Sequence, residues 1–135
     1  AKHWESLDGM IANMEIISIH TPLTSSTANI VNAERLKRMQ TNSVLINTSR
    51  GGLIDEDALI ENLKTGRITA AALDVFDGEP SINPKFMELE NVVLLPHLGS
   101  ATLEGRIAMG EKVILNAKQF TEGYPPPDKL IRDLP

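Results

Sequence analysis

Four short apolar runs, separated by segments that carry helix-start signals, constrain this chain more than any other feature. The runs are Glu-Ile-Ile-Ser-Ile (15–19), Ser-Val-Leu-Ile-Asn (43–47), Thr-Ala-Ala-Ala-Leu-Asp-Val (69–75) and Asn-Val-Val-Leu-Leu (91–95). Each has strand length. Most of their positions are apolar whichever face they point to, as strands covered by helices on both faces require. Ser6 caps a predicted helix through about Asn13. Asn32 caps another through Met39, with Val31 and Leu36 as a hydrophobic staple. Asp55 caps a third, with Ile54 and Leu59 as its staple, and Gly66 stands where a left-handed residue ends it. Asn83-Pro84 opens a short helix with Pro at its first position. A long helix is predicted over 102–122, stopped by Gly123 and Pro125, Pro126 and Pro127. Strands alternating with helices at this spacing read as βαβ units, so the predicted class is α/β: a parallel sheet with flanking helices and a long C-terminal helix.

Composition excludes several partners. The 135 residues amount to about one domain, and the formal net charge of −5 gives no electrostatic footprint for nucleic acid or an anionic membrane. The sequence has no cysteine, which removes disulfides, thiolate metal sites and a cysteine nucleophile. No apolar run approaches the ~20 residues of a membrane span. The first residues, Ala-Lys-His-Trp-Glu, lack the apolar stretch of a signal peptide, and a cytoplasmic home is expected. There is no initiator Met, so the chain is expected to be processed or part of something longer.

The polar residues sort to one side of the predicted sheet. His-Thr-Pro-Leu-Thr (20–24), Thr-Ser-Arg-Gly-Gly (48–52), the segment from Asp74 to Glu79-Pro80, and Pro-His-Leu-Gly-Ser-Ala-Thr (96–102) each follow a strand. In a parallel sheet these loops share the edge outside the strands' carboxyl ends, where open α/β sheets bind ligands. The loops at the other edge are plainer. Arg50 therefore stands at a crevice beside Glu79 and His97, and is expected to face a ligand. The Asp55-Glu56-Asp57 run is read as N-terminal helix charge, and no metal site is expected. His20 is either a cofactor neighbour or loop packing; His3 and Trp4 are structural or surface residues.

The runs at 20–24, 44–59, 71–80 and 91–102, in that order and spacing, resemble the D-isomer-specific 2-hydroxyacid dehydrogenases, most closely the glyoxylate/hydroxypyruvate reductase and phosphoglycerate dehydrogenase branches. The resemblance implies a Rossmann-type sheet and a reaction that moves a hydride between NAD or NADP and a small 2-keto or 2-hydroxy acid. It implies a catalytic set of Arg50, Glu79 and His97. Arg50 would grip the substrate carboxylate with its planar fork. His97 would exchange a proton with the substrate oxygen. Glu79 would orient the imidazole from its other nitrogen. Thr21, Pro22, Thr48, Ser49, Arg50, Asp74, His97, Gly99 and Ser100 would lie along the cofactor, Asp74 accepting from the nicotinamide amide.

One departure is large. The family's glycine-rich fingerprint, with an acidic residue about 20 positions on, does not occur here. Gly51-Gly52 has no third partner. Gly105 to Gly110 has the spacing of a phosphate loop, but Glu111 follows where Lys is needed. Residues 1–135 are therefore expected to be the second half of a dinucleotide-binding domain plus a C-terminal helix and tail, without the glycine-rich half and without a substrate domain. A second functional class stays open: a non-catalytic dinucleotide-sensing module resembling the corepressors related to this family. In the long helix, Leu103, Ile107, Met109, Val113, Ile114, Ala117 and Phe120 form an unusually wide apolar stripe. It is expected to pack on two bodies, one this sheet and the other a further domain or a second subunit of a homodimer.

Overall fold

The computed structural model describes residues 3–129. The chain divides into two compact units, Ala1–His97 and Leu98–Pro135. The first carries four strands, β1 (Ile16–Ile19), β2 (Val44–Asn47), β3 (Ala70–Leu73) and β4 (Val92–Leu94), and three α-helices, α1 (Leu7–Ile11), α2 (Ala33–Arg38) and α3 (Glu56–Lys64). The strands form one all-parallel sheet in the order β1-β2-β3-β4. The α/β class and the parallel sheet are as the sequence predicts.

Helix starts follow the capping chemistry. The side chain of Ser6 accepts from the Gly9 amide, that of Asn32 from Arg35 and that of Asp55 from Ala58. Each satisfies one of the amide donors a first turn leaves unpaired. Helix α3 ends in a double closure. Gly66, at φ +69°, donates to Leu63 O at 3.1 Å, and Arg67 donates to Asn62 O at 2.9 Å. That pairing needs a left-handed residue between, and glycine supplies it without a Cβ penalty. Two 3₁₀ turns complete the unit. Pro84–Glu88 starts at the expected proline; Gly51–Leu53 directly follows Arg50 and is not foreseen from the sequence.

The core lies on one face of the sheet. The register puts Ile17, Leu45 and Ala71 in one row and Ile19, Asn47 and Leu73 in the next, and all six are buried. Ile11, Leu36, Leu59, Leu63 and Phe86 close the same cluster from α1, α2, α3 and the second 3₁₀ turn. The intervening rows are not covered to the same degree: Ile16 is 68% and Val93 59% exposed. Within this unit α1, α2 and α3 pack on one face of the sheet. Strand order follows sequence order, so every crossover steps in the same direction. Right-handed crossovers that all step one way place their helices on the same face.

The second unit is built on α4 (Leu103–Thr121). The Thr102 side chain accepts from the Gly105 amide at 3.0 Å. Gly123 donates to Phe120 O and Tyr124 to Gln119 O, the same double closure as in α3, with Gly123 at φ +82°. Asp128 then ties the tail to the helix, accepting from Lys112 Nζ at 2.8 Å and Asn116 Nδ2 at 2.9 Å. Gly105 and Gly110 are helical, which fits their rejection as a phosphate loop. No residue of α4 is buried. Leu103 and Phe120, both in the apolar stripe, are each 71% exposed. Among the described residues, no helix is long and apolar enough to cross a membrane.

Candidate active site

The carboxyl ends of β2, β3 and β4 present the three polar side chains the sequence singles out. At β2 the turn is built on Asn47, 1% exposed. Its Nδ2 donates to Arg50 O at 2.9 Å and its Oδ1 accepts from Ser49 N at 3.0 Å. A buried amide that closes both ends of the turn leaves the Arg50 side chain on the exposed side. Ser49 Oγ donates to Thr21 O at 2.6 Å and joins this turn to the loop after β1. Arg50 is exposed, and its Nη1 donates to Ser49 O at 2.6 Å.

At β3 the chain passes through buried Asp74, whose amide donates to Asn47 O at 3.0 Å. It then turns so that Phe76 N–H donates to Glu79 Oε1 at 2.8 Å. The other oxygen, Glu79 Oε2, lies 2.8 Å from His97 Nδ1 at the end of β4. His97 adopts φ +55°, a left-handed backbone uncommon for a residue with a side chain. Such backbones cluster where function demands them.

The electrostatics follow from these contacts. The His97 hydrogen bond, reinforced by the Phe76 amide and the nearby Arg50 charge, holds the Glu79 carboxyl below its ordinary range. Glu56, at the start of α3, goes the other way. Burial pushes its carboxyl up, and the bond it accepts from Asp77 N–H only partly offsets that. A largely apolar cavity of about 450 Å³ lies beside the Glu79–His97 pair, lined by Phe76, Ile82, Leu94 and Pro96 among others.

Arg50, Glu79 and His97 thus gather at one edge of the sheet. Thr21, Ser49 and Asp74 stand on the same strand ends. Thr48 is exposed on the β2 turn, and Pro22 is engaged through its carbonyl by Thr27 Oγ1 at 2.7 Å. Gly99 and Ser100 belong to the second unit, on the turn that leads into α4. His20 Nε2 pairs with Ser18 Oγ at 2.8 Å. Asn47, the Phe76 amide and Glu56 were not foreseen. For Asn47 a signal existed, a lone amide closing an apolar strand just before a turn; backbone donors leave no trace in residue type. A guanidinium, a carboxylate and an imidazole so placed can hold a carboxylate and pass a proton.

Comparison with known proteins follows this geometry. The family model for "D-isomer specific 2-hydroxyacid dehydrogenase, NAD binding domain" matches residues 1–99. A glyoxylate reductase of Thermococcus litoralis is 45% identical over 125 residues, which is 93% of this chain and 38% of that protein. A hydroxypyruvate reductase of Thermotoga maritima is 41% identical, over 80% of this chain and 36% of its own length. An NADPH-dependent glyoxylate/hydroxypyruvate reductase of Sinorhizobium meliloti, solved with NADP and malonate, superimposes with a TM-score of 0.83 at 39% identity. That match covers 86% of this chain and 36% of the other. The chain spans under two fifths of the length of these relatives.

Proposed function

Since the chain belongs to the D-isomer-specific 2-hydroxyacid dehydrogenase family, we propose that its strand edge reduces a small 2-keto acid, of the glyoxylate or hydroxypyruvate type, to the D-2-hydroxy acid. The observation that carries this reading is the 2.8 Å contact between His97 Nδ1 and Glu79 Oε2, with the Arg50 cation close enough to act on the same carboxylate.

Each residue has a part. Arg50 turns from Ser49 O to the substrate carboxylate, which its fork meets with two parallel hydrogen bonds. His97, held by Glu79 at Nδ1, donates the Nε2 proton to the ketone oxygen. As the carbonyl carbon gains a hydride, the C=O π pair moves onto oxygen and takes that proton, giving the alcohol. The imidazole is left neutral and is reprotonated from solvent. In the reverse direction it accepts the proton. Glu79 keeps the ring in the tautomer that exposes Nε2 and faces the imidazolium with a negative charge.

NADH or NADPH supplies the hydride when bound. Its nicotinamide end fits this edge. Buried Asp74, at the end of β3, stands on this edge with Thr21, Pro22, Thr48 and Ser49; Gly99 and Ser100 are cofactor residues by the family resemblance. The pyrophosphate end does not find a glycine-rich loop in these 135 residues. In this reading the chain supplies the acid–base residues of a coenzyme domain.

The test is NAD(P)H oxidation by the complete protein with glyoxylate and hydroxypyruvate. His97→Ala is expected to lower kcat by roughly 10² to 10⁴, the usual contribution of a positioned proton donor. Full kcat in His97→Ala would remove it from the mechanism, and a wild type inert toward both acids would overturn the reading.

A further inference from the structure

Gly51 and Glu56 have no place in the chemistry above, yet both close on a single peptide group, the one joining Phe76 to Asp77. A methyl group at Gly51 would lie 1.9 Å from the carbonyl carbon of Phe76, 2.2 Å from its oxygen and 2.2 Å from Asp77 N. The turn after β2 and the loop after β3 therefore touch backbone to backbone. The same peptide is held through its N–H, which donates to Glu56 Oε1 at 2.7 Å. One atom group upstream, the Phe76 amide donates to Glu79 Oε1. The Phe76 ring is anchored as well, edge-on to fully buried Phe86 with centroids 6.0 Å apart.

We propose that Gly51 and Glu56 are positioning residues for the Glu79–His97 pair: together they fix the Phe76–Asp77 peptide, whose neighbouring amide fixes Glu79. The proposal rests on the roles given to Glu79 and His97 above. Any side chain at position 51 must push that peptide away by about 1 Å to reach a tolerable contact. A hydrogen bond of 2.8 Å stretched that far is no longer one, and a displacement of about 1 Å can cost on the order of 10² in rate. Gly52 is a natural contrast. A methyl there meets the Leu23 side chain first, at 3.2 Å, and Leu23 is 45% exposed and can turn aside.

The experiment compares Gly51→Ala, Gly52→Ala, Glu56→Ala and Glu56→Gln in the complete protein, each checked for folding by circular dichroism. Gly51→Ala is expected to lose kcat by about 100-fold and Glu56→Ala by about tenfold, with KM for NAD(P)H little changed. Glu56→Gln, whose oxygen still accepts from Asp77 N–H, recovers most of the rate, and Gly52→Ala keeps it. Should Gly51→Ala not fold, Glu56→Ala and its rescue decide. A folded Glu56→Ala with wild-type kcat overturns the proposal, as does a Gln variant that rescues nothing. Proton NMR of this chain gives a readout that does not need activity. The His97 Nδ1–H resonance, protected by Glu79, should persist in wild type, Gly52→Ala and Glu56→Gln and vanish in Gly51→Ala and Glu56→Ala. An inert wild type with that NMR pattern would sink the reductase reading and leave the positioning role standing. The resonance surviving in all four variants would sink the positioning role.

Discussion

Glu79 joins the proposed chemistry to stability at a single residue. Its carboxyl is held below the ordinary value of 4.5, first by the His97 hydrogen bond. A carboxyl with a depressed folded-state pKa contributes stability that is fully present above its unfolded value. That contribution is lost as pH falls through the folded value. Glu79→Gln should therefore be less stable than wild type at neutral pH, with the gap closing as the pH drops below 4.5. With the two side chains 33% and 48% exposed, the effect is at most about 1 kcal/mol. Urea unfolding at neutral and acid pH reads it, and a gap independent of pH would refute the linkage. Arg50→Lys addresses binding instead. An ammonium cannot make the two-pronged contact, so KM for the keto acid should rise by tenfold or more, about 1.4 kcal/mol. An unchanged KM would take the carboxylate away from Arg50.

The helices of the first unit and α4 respond to substitution in opposite ways. Asp55 caps α3 through a 3.0 Å bond from Ala58 N, so Asp55→Ala should cost about 1 kcal/mol, read as a fall in Tm. Leu59, on the same helix, is fully buried, and Leu59→Ala should cost about 2–5 kcal/mol through the cavity it leaves. On α4, Val113 is 69% exposed. Val113→Ser in this chain should change stability by no more than about 0.5 kcal/mol. A loss of several kcal/mol there would mean that the stripe is covered in solution.

For the whole molecule the telling feature is what accompanies the site. The start of α3 carries Asp55, Glu56 and Asp57, so this helix N-terminus repels a phosphate where a dinucleotide-binding one attracts it. No glycine-rich loop occurs elsewhere in the 135 residues. The chain by itself should bind NADH weakly or not detectably. Calorimetry that finds micromolar binding would refute this and locate a phosphate site that the sequence does not advertise.

The sequence by itself determined the alternation of strands and helices, the caps at Ser6, Asn32 and Asp55, the left-handed glycine at 66, the helix stop at Gly123, and the sheet edge on which Arg50, Glu79 and His97 stand. All of these are local, or follow from the period-2 placement of side chains and from strand direction. Tertiary structure alone decided the rest. Apolar residues on every side of a strand or helix say that burial is available, not that it is taken. Ile16 and Val93 read as buried in sequence and are exposed in the first unit, because crossover direction, not composition, set the face that α1, α2 and α3 cover. The grip of Gly51 and Glu56 on the Phe76–Asp77 peptide is also invisible in sequence. It brings Gly51 against backbone 25 positions on and the Glu56 carboxylate against an amide 21 positions on, and the backbone side of each contact carries no residue-specific signal for a pattern to detect.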